Sequence, residues 1–340
     1  MRKQRTSMRD VARSAGVSVS AVSLVVNGKA GVSPEIRERV WEVISELGYR
    51  TAIPLEKGAS DAVALLMENS SAPIIFDSFY GEVIRGFQTE AQRLGYQVML
   101  TTFDRAAENV DDIRSRLTDS VKGIVIANDG DITPRMIGQL QSMQTPLVLI
   151  ENHIPNQKIP SVLGDNFMAG YTITRHVLEM GHREIAVLQG PTKYSSLVDR
   201  LRGILAAVGE VGMVIPPEWM PHPVSGHPHK GYVQMREILE QAKLPTAVVA
   251  ISDKTALGAM DAIRESSLRI PEDISIVSID DIAESAFSRP PLTTVRIPKY
   301  DMGLVAMQKL HRLIREESEI PVQSVVYSDL IVRESCIDLK

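Results

Sequence analysis

Met8-Arg-Asp-Val-Ala-Arg-Ser-Ala-Gly-Val-Ser-Val-Ser-Ala-Val-Ser-Leu-Val-Val-Asn27 decides how the first fifty residues fold. Thr6 or Ser7 can cap a first helix that turns Met8, Val11 and Ala12 inward. It stops before Gly16, a residue suited to the positive φ of a helix C-terminus. Ser18 can cap a second helix with Val22 and Val25 or Val26 at helical spacing, and Asn27-Gly28 closes it with a turn signal. Ser33-Pro34 opens a third helix, whose inward stripe is Ile36, Val40, Val43, Ile44 and Leu47. Two short helices joined through Ala15-Gly16-Val17-Ser18 and braced by a third follow a helix-turn-helix plan, with a generic three-helix bundle as the alternative.

Charge favours the first without removing the second. Through Lys57 the chain carries 10 Lys and Arg against 6 Asp and Glu, a net of +4, which leaves −9 for the remainder. A basic head on an acidic body is the asymmetry expected when one domain alone touches a polyanion. In a helix-turn-helix the second helix enters the major groove, so Val19, Ser20, Ala21, Ser23 and Leu24 face base edges or backbone.

With 340 residues the chain holds two or three domains, and 44% apolar residues exclude disorder as the main state. No apolar run is long enough for a bilayer and no signal peptide opens the chain, so no membrane association is expected. The single cysteine, Cys336, excludes an internal disulfide and points to the cytoplasm.

From Asp61 onward, buried-strand runs alternate with helical patterns. Strands are expected at 63–67, 97–100, 123–127 and 146–150, then at 185–188, 247–251 and 274–277. Between them helices are expected over 108–118, 134–143, 199–212, 231–242 and 254–266, with two more carrying Val83 to Leu94 and Ala169 to Met180. Near-continuous apolar strands alternating with helices mean parallel sheets covered on both faces, and two such sets mean two doubly wound lobes. Ligands of such sheets bind at the carboxyl ends of the strands, which favours a cleft between the lobes.

The head quoted above, with Val32-Ser-Pro-Glu35 and Leu47-Gly-Tyr49, resembles the lactose/galactose-repressor (LacI-type) family. The resemblance continues through Gly164-Asp-Asn166, Gly181-His-Arg183, Asp253, Ala256-Leu-Gly-Ala-Met260, Asp280-Asp281, Pro291-Leu-Thr-Thr294 and Val332-Arg-Glu-Ser335, and so spans roughly residues 6 to 336. It implies a helix-turn-helix head over 1–50, a hinge over 51–61 and a periplasmic-binding-protein-like body over 62–340. The first lobe would take about 62–160 and 293–320, and the second about 161–292 and 321–340. The chain would cross between lobes near 161, 292 and 320.

The resemblance also implies roles. Ser18, Ser23 and Asn27 would contact phosphates, and Leu24 stands where the family usually has a base-reading arginine, which shifts specificity towards thymine methyls and groove shape. Leu55 would be a minor-groove wedge in a hinge shortened around Pro54, for which a plain tether is the alternative. Arg200 falls at the ligand-gripping arginine, Asp280 at the acceptor carboxylate, Phe79 and Tyr80 at the aromatic rings. Tyr194 and Ser196 match the ligand-facing loop, Glu151 replaces a usual Asp, and Asp165 sits in the Asp-Asn landmark. Ser252 stands where Asn is common, Gly226 where a ring often closes the pocket, and Ile297 where a polar side chain can reach in, which implies a roomier, less polar cleft.

No cofactor and no metal site is expected: His222, His227 and His229 match no zinc spacing, and no phosphate-binding glycine loop or nucleophile elbow occurs. The whole reads as a DNA-binding transcriptional regulator, a repressor acting as a homodimer on double-stranded operator DNA, with a small-molecule effector, a carbohydrate, between the lobes. A ligand-independent DNA-binding protein with a decayed pocket, and a sugar-modifying enzyme with a DNA-binding head, are the alternatives. The identity of the effector, the operator sequence and the choice between induction and corepression are not written in the residues.

Overall fold

The structure, a computed structural model, describes residues 8–26, 32–33, 36, 39–40, 43, 61–68, 77–103, 117, 120–127, 134–142, 144–154, 156–223, 229–316 and 320–340. The chain divides into two compact units, residues 1–59 and 60–340.

In the first unit, α1 (Met8–Ala15) ends as its sequence requires. Gly16 takes φ +66°, and the amides of Gly16 and Val17 donate to the carbonyls of Arg13 and Ala12 at 3.4 and 3.0 Å, the paired closure of a glycine-terminated helix. Ser18 then caps α2 (Val19–Val26), its Oγ accepting from Ala21 N at 3.0 Å. Residues 36, 39, 40 and 43 are helical, and Ser33 Oγ accepts from Ile36 N at 3.4 Å. Val11, Ala12, Ala15, Val22, Val25, Val40 and Val43 form one small core.

The second unit is built on two sheets. The first has strand order β10-β5-β4-β3-β1-β2, from β1 (Ala62–Glu68), β2 (Gln97–Phe103), β3 (Val121–Ala127), β4 (Leu147–Ile150), β5 (Ser161–Gly164) and β10 (Gln323–Val326), all parallel. The second has order β11-β9-β8-β7-β6, from β6 (Ile185–Leu188), β7 (Ala247–Ala250), β8 (Ser275–Asp280), β9 (Thr293–Arg296) and β11 (Asp329–Ile331). Its strands are parallel except β11, which runs antiparallel to β9 at the edge. Strands β6, β7 and β8 are buried at every residue, as expected of sheets covered on both faces.

Helices α3 (Tyr80–Arg93), α4 (Pro134–Gln141), α5 (Asn166–Glu179), α6 (Ser195–Glu210), α7 (His229–Leu239), α8 (Asp253–Glu265), α9 (Ala283–Phe287) and α10 (Lys299–Ile314) connect them. They pack in pairs: α3 on α10, α5 on α6, α7 on α8. In each pair a glycine brings one backbone against the other. A Cβ built at Gly86 would lie 1.9 Å from Tyr300 O, at Gly170 2.0 Å from Arg200 O, and at Gly231 1.9 Å from Thr255 O. The expected helix over 108–118 falls largely outside the described residues.

Sheet membership dates the passages between lobes later than the sequence suggests. Strand β5 lies in the first sheet and β9 in the second, so the chain passes over after Gly164 and after Arg296, rather than near 161 and 292. Strand β10 belongs to the first sheet, and the third passage follows Val326 rather than 320. The physical reason is register: Gln323, Ser324, Val325 and Val326 pair with Ser161, Val162, Leu163 and Gly164 and complete the first sheet's edge. Among the described residues no helix is long and apolar enough to cross a membrane.

Candidate functional site

The head presents a face. On α2, Val22 and Val25 are buried at 0% and 1%, while Val19 and Ser20 are exposed and Ala21, Ser23 and Leu24 are partly exposed. Val19, Ser20, Ser23 and Leu24 fall at i, i+1, i+4 and i+5, on the side opposite the core. Ser18 has its Oγ engaged in capping, so its hydroxyl also sets the start of the presented helix. Asn27 and Leu55 lie outside the described residues.

In the body, Glu151, Arg200 and Asp280 are brought together by a residue that the sequence marks only as part of a landmark, Asn166. Glu151 follows β4 and is 2% exposed, and its oxygens accept from Gly164 N at 2.7 Å and Asn166 Nδ2 at 3.2 Å. Asn166 Oδ1 accepts in turn from Arg200 Nε at 2.8 Å. Arg200 Nη1 donates to Ile251 O at 3.0 Å, and Nη2 lies 2.8 Å from Asp280 Oδ1. Arg200 is thereby held on three sides in a fixed fork. Asp280 Oδ1 is buried in this ion pair with Arg200. A carboxylate has about four lone-pair sites, so Asp280 keeps acceptor capacity beside the guanidinium.

Burial raises the carboxyl groups of both Glu151 and Asp280 above the ordinary range, against the pull of Arg200. Asp281 behaves oppositely. Burial would raise it, but Arg333 at 2.6 Å and Arg296 at 2.8 Å outweigh that and hold it below the ordinary range. The adjacent acids therefore point apart, to separate partners.

Asp165 caps α5 through Met168 N at 3.2 Å, and with Glu151, Ser196 and Phe167 it lines a cavity of about 300 Å³. Ser196 is 8% exposed in the first turn of α6, and Tyr194 precedes that turn, under the ammonium of Lys193 at 4.7 Å. Ser252 caps α8, accepting from Thr255 N at 3.4 Å, beside the Ile251 carbonyl that Arg200 holds. Phe79 and Tyr80 stand at the start of α3 with ring centroids 5.2 Å apart, edge to face. Ile297 is 1% exposed and packs on Gly164, the apolar wall its residue type suggests. Gly226 and His227 lie outside the described residues, and no group of three metal-ligating side chains occurs among the described ones.

Three further residues take part to which sequence reading gave no role. Asp77, just before α3, accepts from Phe79 N and Tyr80 N at 2.9 and 3.0 Å and from Lys254 Nζ of the second lobe at 2.6 Å. Burial pushes its carboxyl up, but Lys254 and the two amides hold it below the ordinary range. Asp253 is fully buried at the first position of α8, and it accepts from Ser278 Oγ, Thr294 Oγ1, Ser285 Oγ and Ile282 N. Lys299, 6% exposed, donates to the backbone carbonyls of Asp280 and Asp281, and its ammonium lies 5.8 Å from the Phe79 ring centre. Burial lowers its pKa, against the acids around it. Asp253 was visible only as a landmark, and Lys299 carries no local signal at all.

Residues 7–52 match the lacI family of bacterial regulatory proteins, and residues 174–336 match the periplasmic binding protein-like domain. The HTH-type transcriptional repressor PurR of Pasteurella multocida is 31% identical over 339 residues, 97% of this chain and 98% of its own. The ribose operon repressor of Haemophilus influenzae is 31% identical over 340 residues, 98% of this chain and 99% of its own. Among solved structures, a complex of the transcriptional regulator CelR with cellobiose superposes with a TM-score of 0.74 at 31% identity, covering 97% of this chain and all of that one. By likeness along nearly its whole length and by its fold, the chain belongs to the lacI family of bacterial regulatory proteins, as a transcriptional regulator with a helix-turn-helix head and a periplasmic-binding-protein-like body.

Proposed function

We propose that this regulator is a cytoplasmic repressor that binds a palindromic operator as a homodimer and answers to a sugar or sugar derivative held between its lobes. The observation that carries the effector reading is the buried Asp280–Arg200 pair, 2.8 Å apart, whose carboxylate keeps acceptor capacity beside the immobilised fork. A carboxylate acceptor next to guanidinium donors suits vicinal hydroxyls, and Phe79 and Tyr80 offer ring faces for a sugar. Glu151, Asp165, Tyr194, Ser196 and Ser252 complete the wall. A ribose operon repressor among the relatives and a cellobiose complex among the neighbours support a carbohydrate.

On DNA, α2 lies in the major groove, with Val19, Ala21 and Leu24 against thymine methyls and Ser18, Ser20, Ser23 and Asn27 on backbone or base edges. Leu55 enters the minor groove from the hinge. Two half-sites require two heads, and Phe287, 84% exposed on α9 beside a cavity it shares with Leu257 and Arg264, is where a second copy packs. The effector acts by linkage: it shifts operator affinity by the difference in its affinity for the two lobe arrangements. It is bound and released unchanged.

The test is selection of a random duplex library by the purified chain, with and without pooled sugars and metabolites. A palindrome whose retention changes with one pool is the expected result. No enriched site in any pool refutes operator reading, and recovery of a chemically altered sugar refutes binding without turnover.

A further inference from the structure

The loop that presents Asp280 is held from both lobes at once. On the second-lobe side, both oxygens of Asp253 take two donors each, from Ser278, Ile282 and Ser285, which flank the loop, and from Thr294 on β9. Between Ser278 and Ile282 the chain turns through φ +139° at Asp280 and +53° at Asp281, a conformation that side chains other than glycine resist. That turn aims two successive carbonyls at one point. Lys299 Nζ occupies it, and Asp280 O also receives Ile297 N at 3.3 Å.

Lys299 belongs to the other lobe. It opens α10, which packs on α3 and on strands β3, β4 and β5 of the first sheet. The Phe79 ring, at the start of α3, lies near the ammonium from the same lobe. An ammonium that is 6% exposed, with backbone carbonyls as its hydrogen-bond partners, has no cheap alternative position. Resting on the reading of Asp280 as an effector ligand, we propose that Lys299 is a positioning residue that ties the Asp280 loop of the second lobe to α10 of the first, so that occupancy at Asp280 is transmitted to the first lobe through this ammonium. The tie's hydrogen bonds run to backbone carbonyls and do not use the Asp280 carboxylate that meets the effector.

The experiment measures the distance between the lobes without any effector. Spin labels are placed at Gln88→Cys on α3 and Glu237→Cys on α7, both exposed positions, with Cys336→Ser removing the native thiol. The full chain is diluted with unlabelled protein so that only distances within one protomer are read. The parent chain should give a single narrow distance. Lys299→Met keeps nearly the same volume and removes every N–H, and should add a second, longer population while its circular dichroism stays that of the parent. Lys299→Arg returns the donors and should restore the single distance. Asp280→Asn keeps the carbonyl, and should leave the distance single while abolishing the response of operator retention to the active metabolite pool. One narrow distance in Lys299→Met, or a second population in Asp280→Asn equal to that of Lys299→Met, overturns the proposal. A full metabolite response in Asp280→Asn refutes the effector reading instead, and does not touch the distance result.

Discussion

Replacing Asp253 by alanine should be among the most damaging single changes in the second lobe. The carboxylate is fully buried and takes four hydrogen bonds, three from hydroxyls and one from the Ile282 amide. Leaving a buried donor without its acceptor costs about 1–3 kcal/mol. The three hydroxyls can rotate towards neighbouring carbonyls and recover part of this, whereas the Ile282 N–H is fixed by the backbone. The expected loss is therefore about 3–5 kcal/mol, well short of four full penalties. Asp253→Asn is the informative partner. Its amide oxygen can keep Ile282 N–H and Ser285, and its NH2 can face Ser278 and Thr294, whose hydroxyls turn round to accept, so about 1–2 kcal/mol is expected. Urea unfolding read by Trp219, which is 7% exposed with its Nε1 on Lys243 O, reports on this lobe once Trp41→Phe has silenced the head. If Asp253→Ala unfolds within 1 kcal/mol of the parent, with an unchanged slope, the four bonds do not hold the loop and the reasoning fails.

Other consequences are as direct. Gly16→Ala meets no atom within 4 Å, so its penalty comes from φ +66° alone, and α1 and α2 should lose about 1 kcal/mol of protection in amide exchange. On the proposed homodimer, Phe287→Asp should leave only monomers in sedimentation at micromolar concentration and weaken operator retention, while the monomer's melting stays unchanged. Burial holds the Glu151 pKa above its ordinary 4.5. The folded chain thus keeps a proton that the unfolded chain has already released, and the stability Glu151 contributes falls as pH rises above 4.5. The stability of the parent relative to Glu151→Gln should therefore decline from pH 5 to 7.5 in urea titrations, and a constant difference would contradict a raised carboxyl. Arg200→Lys should lose the metabolite response and keep operator binding, since a point ammonium cannot satisfy Asn166, Ile251 and Asp280 together.

Local chemistry was the legible part. Gly16 and Ser18 announced the turn between α1 and α2, because a positive φ and a capping hydroxyl are demands that one residue can meet alone. Fully apolar runs such as Ala247-Val-Val-Ala250 announced buried parallel strands. The strands that escaped are those whose reason lies elsewhere in the chain. Gln323-Ser-Val-Val326 is half exposed and becomes a strand because Ser161 to Gly164 offers an edge 160 residues away. Helix α10 also went unread, although Met302, Gly303, Ala306, Met307 and Leu310 are buried in it at helical spacing. The site divides in the same way. Arg200 and Asp280 were named by resemblance, but that Asn166 links Glu151 to Arg200, and that Lys299 reaches the Asp280 carbonyl, follows from how the two sheets close on each other.

The glycines inside the helix pairs bear on how such a molecule can change while keeping its behaviour. Where Gly86 meets Tyr300, Gly170 meets Arg200 and Gly231 meets Thr255, backbone rests on backbone with no side chain between to compress or rotate. Each lobe is thus expected to move as a stiff leaf, with bending falling at the three short passages that follow Gly164, Arg296 and Val326. On the proposed linkage, side chains on the cleft walls could be exchanged to suit a different effector while that frame stayed the same.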